Sequence, residues 1–183
     1  PCWTMGQLSP EQSAGLQAAV RSGTGLAGIH GGMGDAFRGD LNYEWMVGGH
    51  FVGHPHVGPY TVRVTQPGDQ IMAGIPREFT YESEQYYMLV DPAVRVLADA
   101  DYTHEGHTCA MPVVWTRTWG SGRVFYSALG HAPAEFDRWP ALLDVLAEHR
   151  QPRRLDRVGE VRAVQASLPQ HLHERGRDPV GAG

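Results

Sequence analysis

The sequence predicts an α/β layer fold. Three observations carry this: the order of its elements, one glycine-bounded apolar run, and a length that can bury a core. The order reads helix, strand, turn, helix, then several strands and a final helix, which suits helices layered on a sheet. The run Gly25-Leu-Ala-Gly-Ile-His30 is apolar without alternation, as in a strand of a parallel sheet covered on both faces. The 183 residues are 42% hydrophobic and 19% charged, the balance of a folded chain rather than a disordered one. Residues 1–150 are read as the domain, and 151–183 as a polar, Arg-rich tail with at most a short helix near 158–167.

Residues 9–21 read as the first helix. Ser9 caps it, Pro10 takes the first helical position and Gln12 completes a capping box. Leu16, Ala19 and Val20 form its apolar side, and Gly23 and Gly25 stop it. The apolar strand then runs into the turn His30-Gly-Gly-Met-Gly-Asp35. Residues 37–47 are predicted helical, with Phe37, Leu41 and Trp45 inward, ending at Gly48-Gly49. Gly53 and Pro55 make residues 50–56 a loop or sheet edge. Residues 60–65 alternate with period two and read as a strand; 79–89 read as extended and aromatic; 93–97 form another strand. Residues 99–107 are read as a polar loop. Residues 111–117 and 122–127 flank Trp-Gly-Ser-Gly and read as a hairpin. Residues 141–150 form the last predicted helix. A parallel strand needs a neighbour and the chain starts with a helix, so the first strand–helix–strand of a full domain is expected to be missing.

Composition excludes several functions. Net charge is −5 without a long basic run before the tail, which argues against nucleic acid. No stretch reaches the roughly 20 apolar residues of a membrane span. No secretory leader is read at the N-terminus, although the chain begins at Pro1 and a removed segment stays open. All 15 basic residues are Arg, so lysine-based Schiff-base chemistry is excluded. Two cysteines, Cys2 and Cys109, are too few for a disulfide framework. The expected compartment is reducing, the cytoplasm. Ten histidines are present, six of them at His30, His50, His54, His56, His104 and His107.

The turn Gly28-Ile-His30-Gly-Gly stands out, because a tight strand-to-helix turn exposes its central side chain where open α/β sheets place their sites. It resembles the nucleophile turn of class I glutamine amidotransferases, with His30 where their cysteine stands. Further segments follow in order: Thr4-Met-Gly-Gln-Leu-Ser-Pro-Glu-Gln, Gly28 to Asp35, Gly48-Gly-His-Phe-Val-Gly-His-Pro55, Glu82-Ser-Glu-Gln-Tyr86, Met111-Pro-Val-Val-Trp-Thr-Arg117, Gly122-Arg-Val-Phe-Tyr-Ser127 and Leu129-Gly-His131. Over residues 3–148 this set resembles the ThuA-like family, named for trehalose utilisation. The resemblance implies a flavodoxin-like, class I glutamine amidotransferase-like layered sheet with helices on both faces, and a carbohydrate setting. Glutamine amidotransfer itself requires a thiolate in the turn, and neither cysteine is there.

The expected site is His30, Glu84 and His131, as catalytic residues and as ligands of a divalent metal such as zinc. Asp35, His54, Tyr86, Trp115 and Arg117 are expected substrate contacts: Arg117 as a polar clamp, Trp115 as a stacking platform. Each has a plainer alternative. His30 could be a locally bonded turn histidine, His54 a structural histidine bonded to backbone, Glu82 and Glu84 a solvated acidic strand, and Trp115, Arg117, Arg123 and Tyr126 a packed hairpin. His50 and His56 rank lower, and His104-Glu-Gly-His107-Thr-Cys109 is read as a loop, not a zinc site. Expected function is an enzyme of hydrolase or lyase type on a sugar or keto-glycoside. A non-catalytic sugar-binding or regulatory domain, or a plain structural module, is the alternative. The expected partner is a small carbohydrate, with no nucleic acid and no membrane; association with a second copy stays open.

Overall fold

The computed structural model describes residues 1–136. The helix expected at 141–150 and the tail at 151–183 lie outside them. Helix α1 (Pro10–Arg21) is built as its sequence predicts. The Ser9 hydroxyl accepts the Gln12 amide at 3.3 Å, and the Gln12 side chain accepts the Ser9 amide at 2.8 Å, so two orphan donors of the first turn are satisfied. Its packing stripe is narrower than expected: Val20 is buried and Leu16 half-buried, but Ala19 is exposed.

Strand β1 (Leu26–Ile29) follows, then the one-turn helix α2 (His30–Gly34) and helix α3 (Leu41–Val47). Asp40 caps α3 by accepting the Tyr43 amide at 3.0 Å, and Gly48 ends it at φ 89°, where glycine carries no steric cost. The inward face of α3 differs from expectation. Tyr43, Met46 and Val47 are buried, whereas Leu41 and Trp45 are 73% and 56% exposed. The helix begins four residues later than the predicted Phe37, and the 43–46–47 spacing sets its face. Phe37, outside the helix, lays its half-buried ring edge-on to Tyr43.

Five further strands complete the sheet: β2 (Gly49–Val64), β3 (Glu78–Val90), β4 (Arg95–His104), β5 (His107–Trp119) and β6 (Gly122–Ser127), in the spatial order β1-β6-β5-β4-β2-β3. The α/β class holds. Among the described residues only β1 and β6 pair parallel, with Leu26 opposite Val124 and Ile29 opposite Ser127. The other pairings are antiparallel; for β4–β5 and β5–β6 tight turns at Glu105-Gly106 and Gly120-Ser121 reverse the chain without a crossover helix.

One expected loop is part of a hairpin, and the stretch expected as loop or sheet edge is a sheet edge. Residues 99–107 close the β4–β5 hairpin, with His104 opposite His107 and Glu105 and Gly106 at φ 47° and 79°; their polarity marks exposed strand ends, not a loop. Residues 50–56 lie inside β2, which absorbs Gly53 and Pro55 as register shifts against β3. Pro55 is tolerated because β4 pairs with β2 only at Val62–Val64, so this stretch has one hydrogen-bonded side. The core on the α2 and α3 side of β5 and β6 gathers around Trp115, Tyr126, Met33 and Met46, and Phe125, next to Tyr126 on the strand, is buried on the opposite face. A short helix α4 (Pro133–Phe136) follows β6. No described helix is long and apolar enough to cross a membrane.

Candidate functional site

Strand β1 delivers His30 to the sheet edge with φ 46°, a left-handed conformation that costs a non-glycine residue on the order of 1–3 kcal/mol. The surroundings hold it there. The Tyr126 hydroxyl donates to the His30 carbonyl at 3.1 Å. A side chain at Gly34 would run into that same hydroxyl, and one at Gly31 would press on the Tyr86 hydroxyl. Glycines thus let α2 lie close against the sheet.

The His30 ring is buried at 8% exposure. Its Nδ1 is hydrogen-bonded to the Tyr86 hydroxyl at 2.7 Å, with the rings 4.0 Å apart. Its Nε2 is buried without a hydrogen bond among the described residues and lies 3.5 Å from Glu84 Oε2. Burial, reinforced by His131 and His54, lowers the His30 pKa to about 4 against a smaller upward pull from Glu135. His30 is therefore a neutral imidazole at neutral pH. When Nδ1 donates to Tyr86, Nε2 presents a lone pair toward Glu84; when Tyr86 donates, Nε2 carries the proton instead. Burial, then the charges of Glu84 and Asp35, raise the Tyr86 pKa, so its hydroxyl stays protonated.

Glu84 stands on β3, His54 on β2, and His131 just past β6. Glu84 Oε2 faces His131 Nδ1 at 3.4 Å as well as His30, and its Oε1 faces His54 Nε2 at 3.7 Å. The His30 and His131 rings meet edge to face at 5.1 Å. One ligand atom from each of His30, Glu84 and His131 lies within 4.8 Å of the others, a little wider than the roughly 4.4 Å that ligands about 2.0–2.2 Å from one ion can span. Glu84 and His131, 54 and 101 positions after His30 in the sequence, thus lie beside it. His54 belongs to the same cluster rather than to a separate contact.

Tyr86 is in place beside His30, and Phe51 packs against its ring at 4.4 Å. The remaining expected substrate contacts are placed elsewhere. Trp115 is 0% exposed, stacks on Tyr126 and donates its Nε1–H to Val47; a side chain sealed in the core cannot meet a sugar. Arg117 is held by Asp91 at 2.9 Å and donates to the Trp45 carbonyl, so its guanidinium braces α3 instead of clamping a substrate. Asp35 is 5% exposed and paired with Arg38 through both carboxylate oxygens, a structural pair next to the site. His50 pairs with Glu44 at 3.3 Å.

Glu135, in α4, is the residue that sequence reasoning missed. Its carboxylate accepts the Tyr81 hydroxyl at 2.5 Å, the Ser83 hydroxyl at 2.9 Å and the His131 backbone amide at 3.1 Å. Burial works to raise its pKa, but these bonds outweigh it and hold the carboxyl below its ordinary value. The only trace in the sequence is a glutamate four residues after His131.

The family described as ThuA, trehalose utilisation, matches residues 1–147. No curated protein matches the sequence significantly. Among solved structures, a ThuA-like protein of Parabacteroides merdae superposes with TM-score 0.60 at 18% identity, covering 72% of this chain and 59% of that one. A ThuA-like protein of Bacteroides uniformis gives 0.58 at 17% identity, covering 80% and 64%. A β-galactosidase of Bacillus circulans sp. alkalophilus gives 0.51 at 17% identity, covering 79% of this chain but 21% of that one. The chain thus spans about three fifths of the length of the ThuA-like structures it matches. At these identities the likeness is one of fold.

Proposed function

This chain belongs to the ThuA family, and on that premise we propose that it is a carbohydrate enzyme, a lyase or hydrolase working on a sugar or keto-glycoside. The observation that carries the reading is the Glu84 carboxylate faced by three imidazoles, His30, His54 and His131. The buried Nε2 of His30, which has no hydrogen bond among the described residues and only an ion-pair contact with Glu84, supports the reading that the cluster takes a further group. A divalent cation such as zinc fits the donor set of neutral imidazoles and one carboxylate. When bound, such an ion supplies a Lewis acid for a substrate hydroxyl or carbonyl oxygen.

The protein's own groups then account for proton movement. On a keto-glycoside, a carboxylate or imidazole at the cluster removes a proton from the carbon beside the carbonyl. The electron pair expels the aglycone oxygen from the next carbon, and that oxygen takes up a proton. The His131 and His54 side chains are 52% and 41% exposed, so either reaches the leaving oxygen more readily than the buried His30. Ordinary glycoside hydrolysis calls for two carboxylates flanking the bond. Glu82 and Glu84 are too close in sequence for that pair, and Glu135 is occupied by its three donors. Amidotransfer is not part of the proposal, since an imidazole occupies the turn. Cys2 and Cys109 are both free thiols, which suits the cytoplasmic setting we propose.

Metal content of the purified protein, followed by turnover of keto-glycosides by wild type and His30→Ala, tests the reading. Bound zinc near one equivalent and a loss of at least a hundredfold in the variant are expected. A metal-free protein whose variant retains full turnover would overturn it. Sugar-dependent thermal stabilisation without any turnover would point to the non-catalytic sugar-binding alternative.

A further inference from the structure

We infer that Glu135 is a positioning residue that holds His131 against Glu84, a role that rests on the cluster reading above. His131 lies past the end of β6 with its side chain 52% exposed, so its own burial does not fix it. The fixing comes through the backbone. Glu135 Oε2 accepts the His131 amide and the Tyr81 hydroxyl, and its Oε1 accepts the Ser83 hydroxyl. The Tyr81 oxygen in turn accepts the Gly130 amide at 3.1 Å. Tyr81 and Ser83 belong to β3, the strand that carries Glu84. One carboxylate therefore ties the Gly130-His131 segment to the strand that presents the site's own carboxylate. A local helix cap would explain the bond to the His131 amide. It would not explain two hydroxyls reaching in from a strand 52 and 54 residues away.

The arrangement makes a specific demand. Three donors converge on the carboxylate; an amide of the same size keeps one acceptor oxygen and no charge, so the charge-assisted bonds to the Tyr81 and Ser83 hydroxyls and the His131 amide weaken together. Glu135→Gln should loosen the 131 segment while leaving the sheet intact. Two readouts follow this, with melting temperature as the control for folding. Co(II) titration is expected to show at least tenfold weaker binding in Glu135→Gln than in wild type, the scale on which groups that orient ligands act. In the metal-free protein, the nuclear Overhauser contact between the His30 and His131 rings, 5.1 Å apart at their centroids, should be present in wild type and lost in the variant. Tyr81→Phe, which keeps the Glu135 charge, should give the same two changes in weaker form; it also decides the matter if Glu135→Gln fails to fold.

Wild-type Co(II) affinity together with a retained ring contact in Glu135→Gln would overturn the proposal and leave Glu135 a simple cap. A wild type that takes up no Co(II) would sink the metal reading instead, and the ring contact alone would then decide on Glu135.

Discussion

At the scale of single residues, His30 combines a left-handed backbone, burial and a depressed pKa. The sign of its effect on stability follows from linkage. The unfolded imidazole titrates near 6.5 and the folded one near 4, so between these values the unfolded chain binds the proton more readily. His30 thus imposes no penalty above pH 6.5, and an increasing one as the pH falls toward 4, reaching about 3 kcal/mol. Urea unfolding of the metal-free protein from pH 7 to pH 4 should show this loss, and His30→Asn, which tolerates the same backbone region, should show a flatter profile. An equal slope in both proteins would contradict the assigned burial. The turn itself was legible because everything that defines it is contiguous: glycine on both sides of one residue at a strand's end. Glu84 and His131 could be paired with it only through the family resemblance. Glu135 was illegible because its meaning lies in hydroxyls more than fifty residues away.

At the scale of elements, local chemistry was read well where it is self-contained. The capping box of α1 is present bond for bond. Ser9→Ala should cost about 1 kcal/mol, measured as a shift in the midpoint of urea unfolding. Asp40→Ala in α3 should cost a similar amount. Phe37, Leu41 and Trp45 share an i, i+4 spacing that suits an apolar face, but the sheet covers the Tyr43–Met46–Val47 side instead, and side-chain type alone does not choose between the two. Residues 99–107 read as a loop because the buried face of this stretch is Ala98, Ala100 and Tyr102 between charged and hydroxyl side chains, and alanine carries too weak an apolar signal to show the alternation. The substrate roles given to Trp115 and Arg117 failed for a related reason. Residue type says that an indole can stack and a guanidinium can clamp, but only the packing of β5 beneath α3 shows that both are already used.

At the scale of the molecule, the cluster draws on the turn after β1, on β2, on β3 and on the segment after β6, which are distant in sequence. A ligand bound there must stabilise the whole fold. Zinc at a hundredfold excess over its dissociation constant should add about 2.7 kcal/mol, visible as a rise in melting temperature that a chelator reverses; His131→Ala should abolish the rise. The core should behave as a single unit with the site. Trp115→Ala, which empties a fully buried position, should cost about 3–5 kcal/mol by chemical denaturation.

The hydroxyl of Tyr126 links these scales in a way that matters for anyone mapping this protein by mutation. It donates to the carbonyl of His30 from a ring that never meets solvent. Tyr126→Phe would keep the ring's packing yet free the backbone that bends the histidine into place. In a survey scored by activity alone, this interior position would be mistaken for a reacting group. Scored by abundance alone, it would show only the loss of one buried hydrogen bond. Only the two maps read together would identify it as the strut beneath the turn.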